Sequence, residues 1–249
     1  MGKTVLVLGA GMVGTCTALH LHLQRRGVDV TLIDRREHGE VTSYGNAGLI
    51  QREAVEPYAF PCELNFVLRA ALGRGAEVHW HARGLRQMAI PLIQYFHHSR
   101  PAAHAHATQS YSRLIAYAIK EHAPLIAAAQ AEQLVQRDGF RFVFRTPRAF
   151  AEAVERAQRL QDQFNVRFTA EDGAALSRSE PTLRQGLTGA VHWRDPWAVQ
   201  DPGALVQRYA ALFAARGGAS CVAMRRHCGQ AVRDGRSRAK ATASKPNRP

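Results

Sequence analysis

A short apolar run, Val5-Leu6-Val7-Leu8, leads straight into Gly9-Ala10-Gly11-Met12-Val13-Gly14. Thr15 to Arg26 then reads as a helix that Gly27 terminates, and Val28-Asp29-Val30-Thr31-Leu32-Ile33 is a second β-rich run closed by Asp34. A continuous apolar run of this length is what a parallel strand buried on both faces requires. The order strand, G-x-G-x-x-G, helix, strand, acid leaves few folds open. Gly9 permits the tight turn, Gly11 lets a diphosphate approach the backbone, and Gly14 lets helix and strand pack closely. The helix start, at Met12 and Val13, offers free N–H groups to phosphate oxygens. Asp34, 25 positions after Gly9, is placed to accept hydrogen bonds from an adenosine ribose. A fortuitous glycine turn in another α/β protein is the bland alternative, and the surrounding strand, helix and acid outweigh it.

The carboxylate of Asp34 disfavours NADP because it would repel a ribose 2′-phosphate, although Arg35 and Arg36 stand beside it. The fingerprint alone leaves NAD and FAD open. The next segment is Glu40-Val41-Thr42-Ser43-Tyr44-Gly45-Asn46-Ala47-Gly48-Leu49-Ile50, a small polar loop where a plain NAD-binding fold would proceed to a helix. With Thr42, Ser43, Asn46, Ala47 and Gly48 in this arrangement, the chain resembles the FAD-dependent enzymes of the D-amino-acid oxidase superfamily. Within it, the chain is most similar to bacterial D-amino-acid dehydrogenases. The resemblance implies that this loop runs beside the FAD diphosphate toward the flavin ring, which suits residues small enough for backbone to approach a flat ligand. An ordinary surface turn is the competing reading of the same residues.

The resemblance implies an α/β fold: a discontinuous Rossmann-type FAD domain with an inserted α+β substrate domain. The expected division is 1–62 for the first part of the FAD domain, 63–186 for the substrate domain and 187–218 for the return. Helices are expected over 63–72, over 85–98 with a disturbance at Pro91, and over 102–135 with a kink at Pro124. A strand is expected near 139–146, a helix over 147–164, strands near 165–169 and 187–193, and a helix capped by Asp201 with Pro202 in its first turn. The histidines of the middle region, among them His79, His81, His97, His98, His104 and His106, lack the three or four convergent ligands of a closed metal site, and no metal is expected.

Charge is the property most apt to mislead. The net charge is +13, but residues 219–249 hold eight of the Lys and Arg side chains against one acid, Asp234. A nucleic-acid partner is therefore not expected, since a reading surface would carry its cations on the folded part. The tail is too poor in large apolar residues to offset its ordering entropy, so 219–249 is expected to be disordered. The resemblance calls there for another strand and a later glycine-rich segment, so the C-terminal part of the fold is expected to be missing, as a shifted reading frame after Gly218 would produce. A natural basic tail that binds anionic lipid or nucleic acid is the alternative. Four scattered cysteines (Cys16, Cys62, Cys221, Cys228) fit a reducing compartment. No run is long enough for a membrane span, and the N-terminus lacks a cleavage site. A cytoplasmic protein, at most peripheral to the inner membrane, is expected.

The implied chemistry is oxidation of an amino acid at its Cα–N bond, with hydride passing to the flavin and the electrons then to a quinone, a carrier or oxygen. No catalytic residue can be carried over onto a matching position. Tyr44, Tyr95, Tyr111 and Tyr117 are available aromatics better read as packing. An NAD-dependent dehydrogenase and an inactive FAD-binding remnant are the alternatives.

Overall fold

The computed structural model describes residues 3–24, 28–40, 42–61, 81–183 and 186–222. The first elements are β1 (Lys3–Leu8), α1 (Met12–Gln24), β2 (Val28–Asp34), β3 (Leu49–Ile50), α2 (Ala82–His98), α3 (Pro101–Ile115) and α4 (Ala118–Ala128). A 3-10 turn (Glu132–Leu134), β4 (Val135–Gln136), β5 (Phe140–Phe144), α5 (Pro147–Phe164), β6 (Phe168–Asp172) and α6 (Gly173–Ser179) follow. The chain continues with β7 (Gly189–Trp193), β8 (Trp197–Val199), α7 (Pro202–Ala215) and β9 (Ala219–Val222). The class is α/β, as the glycine turn requires.

The described residues form two compact units. The first draws on Met1–Ile50, Ile119–Arg141 and Arg194–Pro249, the second on Gln51–Ala118 and Phe142–Trp193. The borders expected at 62/63 and 186/187 thus fall at 50/51 and 193/194, and a middle segment returns to the first unit. Strand pairing is the reason. β3 and β4 both pair antiparallel with β8, through Leu49↔Ala198 and Val135↔Val199, which ties three distant segments together. β7 instead pairs antiparallel with β6, from Phe168↔Trp193 to Asp172↔Gly189, and stays in the second unit.

In the first unit a parallel sheet has the order β1–β2–β9. Central β2 buries Val30, Thr31, Leu32 and Ile33, as a parallel strand covered on both faces must. α1 buries Thr15, Ala18 and Leu19, while α7, beside α1, buries Leu205, Val206, Tyr209 and Phe213. Each such large side chain contributes about 1.5–3 kcal/mol by leaving water. Asp201 caps α7 as expected, its Oδ1 accepting from the Ala204 amide at 2.8 Å.

The expectation of disorder from residue 219 is corrected at its start. Gly217 and Gly218 are a turn, not the end of the fold: Gly217 has φ +89°, and a Cβ on Gly218 would stand 2.3 Å from the Phe213 ring. The amides of both close the helix end, donating to Ala214 O and Phe213 O at 2.9 Å. The chain thereby enters β9, whose Ala219–Val222 pairs parallel with Thr31–Asp34. The rest of the tail, 223–249, lies outside the described residues, as does the helix expected over 63–72.

In the second unit the sheet order is β5–β7–β6, with β7 buried along its whole length. α5 lays Ala157 and Leu160 on this unit's core. Its ends follow the sequence: Thr146 Oγ1 accepts from Ala149 N at 3.4 Å, and Asn165 closes the helix in the left-handed region at φ 53°. Neither Pro91 nor Pro124 breaks its helix. Both prolines are exposed, so water can satisfy the carbonyl that each leaves unbonded. The break expected at Pro124 falls instead between α3 and α4.

Candidate functional site

Two backbone amides fasten the glycine turn to the end of β2, one to a carbonyl and one to a side chain. Gly9 N donates to Ile33 O at 2.7 Å, and Ala10 N donates to Asp34 Oδ2 at 2.7 Å. Gly9 needs its freedom, with φ +105°. Gly14 is needed for another reason: a Cβ there would lie 1.7 Å from Gly9 O, so no side chain can enter between turn and helix. Gly11 has no such reason. Its added Cβ would meet only Ser43 Oγ, at an ordinary 3.7 Å. The fold leaves space there that it does not itself use.

Above that space α1 begins. Its first-turn amides have no intrahelical acceptor, and the helix dipole puts partial positive charge on them. The Met12 amide is taken by Ser43 Oγ at 3.2 Å. Those of Val13 and Gly14 remain for an outside acceptor. Buried Thr15 braces the turn from below, its Oγ1 donating to Ala10 O at 3.3 Å.

Asp34 closes the far side. Burial pushes its carboxyl up, but the amides of Ala10, Arg35 and Arg36, with the charge of Arg35, outweigh that and hold it below its ordinary value. It is therefore ionised at neutral pH. Arg35 N and Arg36 N both donate to Oδ1, at 2.5 and 3.4 Å, whereas Oδ2, with the Ala10 amide alone, keeps a lone pair for a further donor. The side chains of Arg35 and Arg36 are exposed.

The loop candidates separate. Ser43 is buried and reaches the start of α1. Asn46 shapes the loop itself, Oδ1 accepting from Gly48 N at 2.8 Å. Gly48, at φ +65°, lies so close to β8 that a Cβ would meet Val199 O at 2.2 Å. Thr42 and Ala47 are exposed. The sequence reading missed Thr15, which follows the fingerprint directly, and the contact of Gly39 with Gly203, where a Cβ on Gly39 would meet Gly203 O at 2.6 Å. A glycine after Asp34 and another at the start of α7 were the signals for that contact.

Along α1 lies a cavity of about 540 Å³ lined by Met12, Val13, Cys16, Thr17, His20, Leu21 and His122. Burial pushes the Cys16 thiol up to about 12, so it is neutral and unreactive. His122 is held below its usual value by burial and then by the charge of His20. Its Nδ1 lies 3.0 Å from the Tyr209 hydroxyl. No nucleophile or paired acid stands in this cavity.

The turn thus holds a gap at Gly11, unused amides at a helix start and an ionised carboxylate at the neighbouring strand end. That set fits the diphosphate and ribose of an adenine dinucleotide. The model of one family, described as FAD dependent oxidoreductase, matches residues 4–239. The chain belongs to this family.

FAD is the coenzyme of the FAD dependent oxidoreductases, and the residues present fit its dinucleotide portion. The D-amino-acid oxidase of Bradyrhizobium diazoefficiens is 30% identical over 212 residues, covering 82% of this chain and 48% of that protein. The D-amino acid dehydrogenase of Dechloromonas aromatica is 42% identical over 80 residues, 32% of this chain and 19% of that protein. Among solved structures, L-proline dehydrogenase from P. horikoshii is similar with TM-score 0.54 at 15% identity, over 88% of this chain and 43% of that one. Glycine oxidase from Geobacillus kaustophilus has TM-score 0.53 at 15% identity, over 88% and 46%. The chain spans about half the length, or less, of these proteins.

Proposed function

We propose that the first unit binds FAD and that the chain serves the oxidation of an amino acid at its Cα–N bond. The observation that carries the reading is the unused space at Gly11 beneath the free amides of α1, faced by ionised Asp34. When bound, FAD supplies the two-electron acceptor that no side chain can provide. The chain's residues do the holding. The amides of Val13 and Gly14, with the positive end of α1, receive the diphosphate. Asp34 accepts from the ribose hydroxyls. Ser43, whose oxygen is already engaged by Met12 N, keeps its own proton free to donate toward the same anion. Arg35, Thr42, Asn46, Ala47 and Gly48 complete the proposed set, with Asn46 and Gly48 fixing the loop's course.

The names of the curated relatives support a D-amino acid as substrate. The acceptor we infer is a quinone, a carrier or oxygen. Among the described residues no helix is long and apolar enough to cross a membrane. Absorbance of the purified protein, followed by FAD titration, tests the binding half of this reading. A panel of D- and L-amino acids with an artificial electron acceptor tests the other half. A yellow protein that reduces the acceptor with D-amino acids is expected. A colourless protein that takes up no FAD overturns the whole reading, while bound flavin without turnover overturns only the catalytic part.

A further inference from the structure

One stripe of α2 fits no role within its own unit. Arg83, Arg86, Ile90, Ile93 and His97 recur at i, i+3, i+7, i+10 and i+14, so they share one side of the helix, and all five are exposed. Ile90 and Ile93 are 70% and 61% accessible, far above the exposure of a core isoleucine. The side toward Phe60 is only partly covered, Tyr95 and Phe96 being 40% and 43% exposed. Phe60 lies edge-on to Tyr95 and Phe96, with ring centroids 5.6 and 5.8 Å away, and its amide donates to Ser99 Oγ at 2.7 Å. Among the described residues nothing covers the outer stripe. On α3, Leu114 is likewise 71% exposed.

The charge around this surface is one-sided. No Asp or Glu occurs between Glu77 and Glu121, and residues 82–115 carry four cations, Arg83, Arg86, Arg100 and Arg113. None of the four makes an ion pair among the described residues. Exposed isoleucines that follow two arginines along a helix without acids match the composition of helices that lie in a lipid headgroup layer. The apolar side chains reach the acyl boundary and the guanidinium groups meet phosphates. A protein partner would need a shaped pocket for its anchors, whereas this stripe runs along a convex helix surface. A lipid surface needs no complementary shape.

We propose that the outer stripe of α2 docks the protein on an anionic membrane surface. The stripe belongs to the second unit, so the inference stands apart from the flavin reading. The test is flotation of the full chain with phosphatidylcholine vesicles, with and without phosphatidylglycerol. Co-flotation with the anionic vesicles is expected, and its loss in high salt. Ile90→Ser together with Ile93→Ser leaves every charge in place and should lower vesicle partition by ~tenfold or more. Circular dichroism and FAD uptake should not change, because both side chains lie at the surface. A second variant, Ile90→Trp, should shift its fluorescence to the blue on vesicle addition and be quenched by brominated lipid. Binding undiminished in the double serine variant would assign the attraction to the basic segment beyond residue 222 and overturn the proposal. So would a concentration-dependent dimer that the same substitutions abolish, which would make the stripe a contact between copies.

Discussion

The glycine turn at 9–14 and the loop at 42–48 are both rich in small residues, and each mixes glycines that the fold compels with one that it does not. In the loop, Gly48 is compelled by the protein: its φ is positive and Val199 O stands where a side chain would go. In the turn, Gly9 and Gly14 are compelled in the same way, but Gly11 is not. A glycine that the fold demands says nothing about ligands. One that the fold leaves idle, as it does Gly11 and also Gly45 in the loop, leaves room for a ligand without requiring one, and at Gly11 the free amides of α1 beside that room are what support the proposed site.

The contrast can be broken by substitution. Gly14→Ala drives a methyl group into Gly9 O and should cost about 3 kcal/mol or more, visible as a collapse of the thermal midpoint and of flavin uptake together. Gly48→Ala combines a left-handed backbone with a clash on β8. It should cost about 2–3 kcal/mol, read from a denaturant titration, while the remaining folded fraction still binds FAD. Asp34→Asn is a finer probe. Because the native carboxyl sits below its ordinary value, the unfolded chain takes up the proton first. The stabilisation is therefore present above the ordinary value of 3.8 and is lost as pH falls through the native one. Wild type should lose more thermal stability between neutral pH and pH values near or below that figure than the variant does. Smallest in stability and most telling in function is Gly11→Val. It should cost about 1 kcal/mol of folding free energy, the penalty for a branched side chain at a helix start, yet abolish FAD uptake, measured by titration. A large loss of stability there would place Gly11 with Gly48 and erase the distinction.

The parts of this molecule legible in sequence were those whose signal is local. The βαβ unit announces itself through four apolar residues, a spaced glycine set and Asp34. Helices α5 and α7 announce themselves through Thr146-Pro147 and Asp201-Pro202, a capping side chain followed by a proline that fits the first turn. What escaped was non-local. β3, β4 and β8 are two or three residues long, too short to show a period, and they exist only because each finds the other across the chain. The domain borders depended on those pairings. β9 escaped because Ala219-Ser220-Cys221-Val222 was averaged with the cationic segment after it. Its strand character comes from an open place beside β2, not from its composition. At the site itself the glycines and Asp34 were readable, while the seating of Ser43 on the Met12 amide required the loop to fold back over 31 positions.

Cys16 offers a use quite separate from coenzyme chemistry. Its sulfur lines the cavity along α1 and burial holds it protonated, so it reacts as a thiolate at an appreciable rate only when that helix lifts and water reaches it. Peptide-resolved labelling at this position would therefore act as a clock for breathing of the first unit. FAD, by holding α1 down at its first turn, should slow the clock.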